Sequence, residues 1–407
     1  MTTMRRRLTA LGCAIGLMLA PLALTGAAGA AGAAGAASPP AKPVTAMTRN
    51  IYLGADINRP VEAALRAAAQ PGANQLTIVT ALANATHTTR AIVDHTDFNV
   101  RGRLLADEIA GAQPDLVGLQ EVALWRHGPM QLGQVGVANA QTVDYDFLQI
   151  LLDDLAARGT PYVAASVANR ADVESPSFTG PITAPGGDPR DVRLTMRDVV
   201  LMRASSSLTA LAQGQRVYDV NLQVGVAGLT FDFDRGYQWV DVRAGAQRFR
   251  FVNTHLEAFS SDIALAQARQ LVAEATSPDQ STVFVCDCNS DPANSSVKPI
   301  DHVPHKAPYD LITGAGGYTD LWKASGRPAD LPGFDAGDTS GLNETVDEPA
   351  PGSWTHRIDM VFGRTAAGGP LTTDRGTVTG RDGDPRDPAT GLWPSDHAGV
   401  VMRIRGL

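Results

Sequence analysis

Residues 283–292 read VFVCDCNSDP, an apolar run that stops abruptly at Asp287, Asn289, Ser290 and Asp291. The β-branched and aromatic start predicts a strand, and strand alternation then puts Asp287 and Asn289 on one face and Cys286 and Cys288 on the other. Two residues of extended chain separate the cysteine Cα atoms by about 6.6 Å, near the upper end of the disulfide range, so a bridge would need distortion. The expectation is therefore two free thiols packed inward as small apolar groups, with the chemistry on Asp287 and Asn289.

Outward from this run the same arrangement recurs. Strand-like segments PVTAMTRN, DLVGLQEV (Asp115–Val122), PYVAASV, RDVVLMR, YQWVDVR, FRFVNTHL, RIDMVFGR and AGVVMRI are spread along the chain. Helical spacing is found in RPVEAALRAAA, between Leu76 and Ala112, and in DYDFLQILLDDLAARG, where Phe147, Leu148, Leu151, Leu152 and Leu155 line one side and Gly159 stops the helix. Gly/Pro-rich interruptions at Arg126–Gln141, Asp172–Asp191 and Pro328–Gly352 read as long loops. Strands outnumber helices and several are joined as hairpins, which favours a sandwich of mixed sheets flanked by helices over a doubly wound parallel sheet.

Acidic, amide and imidazole side chains gather at the C-terminal ends of the apolar runs: Asn50, Glu121, Asn253 with His255, Asp287 with Asn289, Asp359, and Asp396 with His397. Strand ends that feed loops are where catalytic groups are mounted on a rigid scaffold. Singly, each has an ordinary explanation: a turn residue for Asn50, a satisfied core histidine for His255, a cap for Asp396.

Taken in order, TRN, LQEV, NTHLE, CDCNSDP, HRIDMVF and PSDHAGV resemble the motifs of the endonuclease/exonuclease/phosphatase superfamily, from Thr48 to Val400. The resemblance implies an α/β fold, a four-layered α/β/β/α sandwich of two mixed sheets flanked by helices, with the site at one edge of the packed sheets. It implies Glu121 as the principal ligand of a divalent metal, most often Mg²⁺ with Mn²⁺ or Ca²⁺ as alternatives, assisted by Asn50 and Asp396; oxygen ligands suit such hard cations. It also implies Asp287 orienting or deprotonating water, Asn289 donating to a phosphate oxygen, Asp359 fixing His397, and His255 as a second imidazole supported by Asn253, with Glu257 following it. Which imidazole acts as acid and which as base stays open. Cys286 stands where glycine is common, Cys288 where an aromatic or other apolar residue is common, and Met360 where an aromatic is frequent. These departures remove no charged or amide group from the site.

The first 38 residues are not fold material: three arginines, an apolar run from Leu8 to Leu24 broken by glycine and Pro21, and a small-residue tract form a secretory leader rather than a membrane anchor. The expectation is a secreted protein with one catalytic domain over 43–407 and no stable membrane anchor once the leader is removed. Without the leader arginines, 31 Lys and Arg face 42 Asp and Glu, a formal charge of −11. That opposes a nonspecific polyanion clamp, yet a bound cation supplies positive charge locally. The partner expected is a phosphodiester, in nucleic acid or in a phospholipid head group, with no obligate protein partner. A phosphomonoesterase and a noncatalytic extracellular binding protein on the same fold are the alternatives.

Competing chemistries find less support. HEXXH, paired CXXC and GXSXG are absent, which removes the usual zinc and serine-nucleophile signatures. Arg197 and Asp198 read as an exposed strand-edge ion pair, Trp125 and Trp393 as packing residues, and Asp382, Asp384 and Asp387 as a solvated loop lacking the spacing of a calcium loop.

Overall fold

The alternating and continuous apolar runs become strands, and the helical spacings become helices. The structure, a computed structural model, describes residues 42–226, 228–327, 337–348, 354–381 and 384–407. The leader, Asp382 and part of the third expected loop lie outside the described residues. In chain order come β1 (Val44–Asn50), α1 (Asn58–Ala68), α2 (Gln75–His95), α3 (Phe98–Ala112), β2 (Leu116–Gln120), β3 (Leu124–Pro129), β4 (Thr142–Asp146) and α4 (Phe147–Ala157). Then follow β5 (Tyr162–Thr179), β6 (Gly186–Arg203), β7 (Leu208–Val217), β8 (Leu222–Val226), β9 (Leu229–Phe233), β10 (Gly236–Ala244), β11 (Gln247–His255) and α5 (Ser261–Glu274). The chain continues through β12 (Ser281–Asp287), α6 (Ala307–Thr313), β13 (Thr319–Asp320), α7 (Leu321–Ala324), β14 (Asp359–Arg364), β15 (Thr372–Thr379) and β16 (Gly399–Arg405).

One eight-stranded sheet runs β15-β16-β1-β2-β6-β3-β4 with β5 also on β6, and a six-stranded sheet runs β13-β14-β12-β11-β10-β7. Both are mixed: β1 lies parallel to β2 and β11 parallel to β12, with antiparallel neighbours on either side. Side-chain parity builds the layers. Val44, Ala46, Leu116 and Val400 of the first sheet meet Phe249, Phe251, Val283 and Val285 of the second in one buried cluster between the sheets. Met47, Val117 and Leu119 face away from it, against Phe98 and Leu105 of α3 and Phe147, Leu151 and Leu155 of α4. On the far side, Val252, Phe284 and Met360 pack under Ala264, Ala268 and Leu271 of α5 and Ile312 of α6. This is the α/β/β/α layering expected.

Local signals explain the helix ends. Asp146 caps α4 by accepting from Gln149 N, and Gly159 takes φ 69° just beyond its end. Asn74 caps α2 reciprocally with Thr77. Among the described residues no helix is long and apolar enough to cross a membrane.

Two expectations need correction. Asp172–Asp191 is not a long loop: it belongs mostly to β5 and β6, two strands of 18 residues each that form one long hairpin. Register shifts at Ala164/Ser166, Asn169/Asp172 and Ser177/Thr179 break the two-residue period by which a strand is recognised, so the segment looked irregular. Arg126–Gln141 is likewise shorter than expected as a loop, because β3 runs through Pro129 and pairs with both β4 and β6.

Candidate active site

Because Val283 and Val285 point between the sheets, Asp287 does too, and the same parity on β11 carries Phe249 and Phe251 on to Asn253 and His255. The two strands are in register, with His255 opposite Asp287, and on the other side Asp287 pairs with Asp359 at the start of β14. Asn50 ends β1 in the facing sheet, and Glu121 follows β2 with φ 60°, a left-handed turn that ends the strand where its carboxylate joins the cleft. Thus residues from five motif segments converge because β1, β2, β11 and β12 end, and antiparallel β14 begins, at one edge.

The side chains form a connected set. Asn50 Nδ2 donates to Asp287 Oδ2 at 2.9 Å, and Asn50 Oδ1 accepts from Tyr52 N at 2.9 Å. Asp287 Oδ1 accepts from Asn289 N at 3.1 Å, while Asn289 Nδ2 donates to Leu256 O at 3.0 Å. His397 Nδ1 lies 2.7 Å from Asp359 Oδ2, leaving Nε2 3.8 Å from Asp287 Oδ2. His255 Nε2 is 3.3 Å from the same oxygen. Glu121 Oε2 accepts from Leu53 N at 2.9 Å, and Ser395 Oγ donates to Asn50 O, tying the Asp396–His397 segment to β1. Arg49, buried and paired with Glu108 at 2.9 Å, donates to His397 O.

Glu121, His255, Asp287, Asn289, Asp396 and His397 line a cleft of about 270 Å³, with Asn50 and Asp359 reaching it through Asp287 and His397, and its walls add Tyr52, Asp56, Phe233, Phe259 and Glu344. Larger hollows elsewhere, such as one of about 560 Å³ between α3 and β15–β16, hold none of the convergent residues. Electrostatics follow from burial. Burial pushes the Asp287 carboxyl up, and the charges of Asp359 and Glu121 add to this against His397 and the Asn50 hydrogen bond. Asp396 is likewise raised, by burial first and then by Glu121, against the pull of His397 and Arg101. For His397 burial acts downward, but Asp359, Asp287 and Asp396 outweigh it and hold the imidazole well above its ordinary value. His255 is held well below, by burial and by the Arg235, His397 and Arg170 cations.

All eight expected residues are brought to this edge. Asn253 lies deeper and ties the sheets together: it accepts from Gln120 Nε2 at 2.6 Å and donates to the carbonyls of Leu119 and Val199. The cysteine expectation is corrected. Cys286 and Cys288 are bonded to each other, with Cα atoms 5.0 Å apart. The fully extended spacing does not apply, because the residue between the two cysteines, Asp287, is the last of β12, where the strand gives way to the loop. Their sulfurs do face the α5–α6 side, away from Asp287. Arg197 and Asp198 are also not exposed. Arg197 donates to the carbonyls of Val122 and Ala123 and pairs with Asp146, while Asp198 pairs with buried Arg170 at 2.9 Å. Trp125 and Trp393 are buried as expected, donating to Leu53 O and Glu348 O.

Six motif segments, in their expected order, meet at one edge of two packed mixed sheets with a helical layer outside each; Asp359 and Asp396–His397 lie at the start of β14 and before β16, not at C-terminal strand ends as expected. This is the four-layered α/β/β/α arrangement, with its site at one sheet edge, that the motif resemblance implies. No protein-family model matches the chain, and no curated protein matches it. Among solved structures it is similar to an endonuclease/exonuclease/phosphatase family protein from Leptotrichia buccalis, at 14% identity over 89% of this chain and 100% of that one, with a TM-score of 0.49. It is also similar to TDP2 from D. rerio complexed with single-strand DNA product, at 14% identity, covering 89% and 99%, with a TM-score of 0.48. A mannosyl-6-phosphatase from Bacteroides thetaiotaomicron matches at 14% identity, covering 89% and 100%, also with a TM-score of 0.48.

Among the cleft residues that sequence reading missed are Tyr52, Glu344 and Arg235. Tyr52 takes φ 56° and donates its hydroxyl to Glu344 O, and Glu344 pairs with Arg59 at 2.5 Å across the rim. Arg235 stands behind His255, with Nη1 2.8 Å from Nδ1. A hairpin alignment of DRGYQWV with FRFVNTH would have found Arg235, since Gly236 is the register partner of His255.

Proposed function

We propose that this protein is a divalent-metal-dependent phosphoesterase acting on phosphodiesters. The observation that carries the reading is the meeting of Glu121, Asp287, Asp396 and His397 in one cleft, with Asp359 holding His397 from behind. The Glu121 charge raises the affinity of Asp287 and Asp396 for protons, and such a crowded carboxylate set is one that a cation would stabilise. Glu121 and Asp396 would hold it, with the remaining lone pair of Asn50 Oδ1 beside them. All are oxygen donors, as Mg²⁺, Mn²⁺ or Ca²⁺ requires. Asp287, Asp359 and His397 also place ligand atoms within 4.8 Å of one another. His397 Nδ1 is committed there to Asp359, however, so that group is better read as a proton-handling pair aimed at Asp287. When bound, the metal supplies positive charge to a phosphoryl oxygen.

The chain's own residues account for the remaining needs of in-line hydrolysis. Asp287, held by Asn50 Nδ2 and Asn289 N, orients a water and accepts its proton; its raised affinity for a proton suits a base working near neutrality. Asp359 fixes His397 so that Nε2 faces the reaction space. The second N–H of the Asn289 amide is left to donate to a phosphate oxygen.

The cleft rim also bears on substrate class. Asp56, Glu121, Asp287, Glu344 and Asp396 line it, against Arg235 as the one Arg or Lys in the lining among the described residues, with Arg59 pairing Glu344 at the rim. A polynucleotide would bring phosphates on both sides of the scissile one into this acidic surround, whereas a compact head group would bring few. A phospholipid or other small phosphodiester is therefore the reading favoured over nucleic acid. The leader would export the protein to meet such a substrate outside the cell.

Purified protein without its leader should hydrolyse at least one phosphodiester in a panel of sphingomyelin, phosphatidylinositol phosphates, plasmid DNA and RNA with Mg²⁺, Mn²⁺ or Ca²⁺, and EDTA should stop it. Turnover confined to phosphomonoesters would replace the diester reading. No turnover on any substrate would favour the noncatalytic binding protein.

A further inference from the structure

Arg235 precedes β10, and its neighbour Gly236 is the register partner of His255. That places the guanidinium directly behind the imidazole. Arg235 is buried, yet it lines the cleft. Its Nη1 is 2.8 Å from His255 Nδ1, and its Nε makes no hydrogen bond. The nearest counter-charge is Glu257 Oε2, 3.8 Å from that Nε, and this oxygen also has no hydrogen-bond partner. Glu257 is itself fixed, its Oε1 accepting from Phe259 N at 2.9 Å and its backbone N–H donating to Gln267. Gly236 is part of the same packing, because a Cβ there would collide with Arg216 O and the Arg170 guanidinium.

A guanidinium has donors and no acceptor and does not deprotonate in proteins. A ring nitrogen 2.8 Å from it must therefore present a lone pair. The proton of a neutral imidazole then sits on the other nitrogen, Nε2, which points at Asp287 Oδ2 from 3.3 Å. We propose that Arg235 is a positioning residue that fixes His255 as the Nε2–H tautomer, so that His255 serves the phosphoesterase reaction as a hydrogen-bond donor and not as a proton acceptor. The inference rests on the phosphoesterase reading of the cleft for its role in turnover, but the tautomer stands on the Arg235 contact alone.

The two imidazoles at this edge are thus distinguished by what faces Nδ1. A carboxylate faces it in His397, and a permanent cation faces it in His255. A cation at that position disfavours adding a second proton to His255, and the direction of its shifted proton affinity agrees. In this state Nε2–H has two uses in one place. Before substrate enters it helps hold Asp287, and with substrate bound it is a preformed donor for a phosphoryl oxygen as negative charge builds there.

The test is ¹⁵N-histidine NMR of the purified protein at neutral pH, with the His255 signals assigned by their loss in His255→Gln. The expected result is a protonated, pyrrole-type Nε2 and a pyridine-type Nδ1. Arg235→Met should abolish this preference and lower kcat about 10²-fold, the usual cost of losing one aligned donor, with a smaller change in KM. Arg235→Lys keeps a donor-only cation near Nδ1 and should retain the tautomer with part of the turnover. A proton on Nδ1 in the native protein, or on both nitrogens, would overturn the proposal, as would an unchanged tautomer in Arg235→Met. The native spectrum decides even if Arg235→Met does not fold. Native protein with the expected tautomer but no turnover on any phosphoester would overturn the functional reading and leave the tautomer assignment standing.

Discussion

Asp359 works through His397. Its Oδ2 at 2.7 Å from Nδ1 fixes the ring so that Nε2 faces Asp287, and its charge is the largest favourable influence on the imidazolium. Asp359→Asn should therefore leave the circular dichroism spectrum unchanged while lowering kcat about 10²- to 10⁴-fold, the range seen when an imidazole loses its orienting carboxylate. The bonded cysteines sit on the opposite side of the same strand end. Replacing both with alanine should cost only about 1–2 kcal/mol, because the closed loop is short. Turnover should survive, since neither sulfur faces the cleft; loss of turnover at full helical signal would show that the bridge shapes Asp287. What was legible at this scale depended on period: Asp287 follows from strand alternation, whereas Arg235 emerges only when β10 is aligned against β11 across their hairpin, which sets Gly236 opposite His255.

At the scale of elements, the closeness of the two sheets depends on a missing side chain. A Cβ on Gly118 would strike Val285 and come within 2.7 Å of Asn253 Oδ1, so Gly118→Ala must push the sheets apart or break the Asn253 hydrogen bonds. Overpacking of this kind costs about 1–3 kcal/mol, read as a lower midpoint in urea, with activity falling alongside because β2 ends at Glu121. The start of α5 gives a second test. Asp301 accepts from Ser260 Oγ at 2.7 Å and Ser261 N at 2.9 Å, and although burial pushes its carboxyl up, these bonds prevail and hold it below the ordinary carboxylate value. Its contribution is then present above that ordinary value and is lost as pH falls through the folded one. Asp301→Ala should cost about 1 kcal/mol at pH 7, and the gap from native protein should narrow toward pH 3 in urea titrations. Sequence pattern located the strands bearing the motifs because each is a short, regular, apolar run. It missed the β5–β6 hairpin because bulges and polar cross-strand pairs, such as Arg193 with Asp172 at 2.6 Å, hide the strand period.

For the whole molecule the governing fact is an excess of negative charge, part of which lies in the candidate cleft. Glu121, Asp287 and Asp396 share one small cleft, and the Glu121 charge raises the hold of both aspartates on their protons, so the fold carries a repulsion there that serves no structural end. Such a site trades stability for function. Two consequences follow together. A cation that binds the folded state and not the unfolded chain should raise the thermal midpoint in proportion to its concentration over Kd, about 2.7 kcal/mol at 100 times Kd. Glu121→Gln, which removes one of the converging charges while keeping its shape, should raise the midpoint of EDTA-treated protein, abolish the Mg²⁺-dependent rise and abolish turnover. Scanning calorimetry of both proteins with and without Mg²⁺ separates the outcomes. A Glu121→Gln protein that is less stable than the native protein in EDTA would show that Glu121 is held chiefly for its bond to Leu53 N, and one that still gains stability from Mg²⁺ would move the cation away from Glu121 altogether.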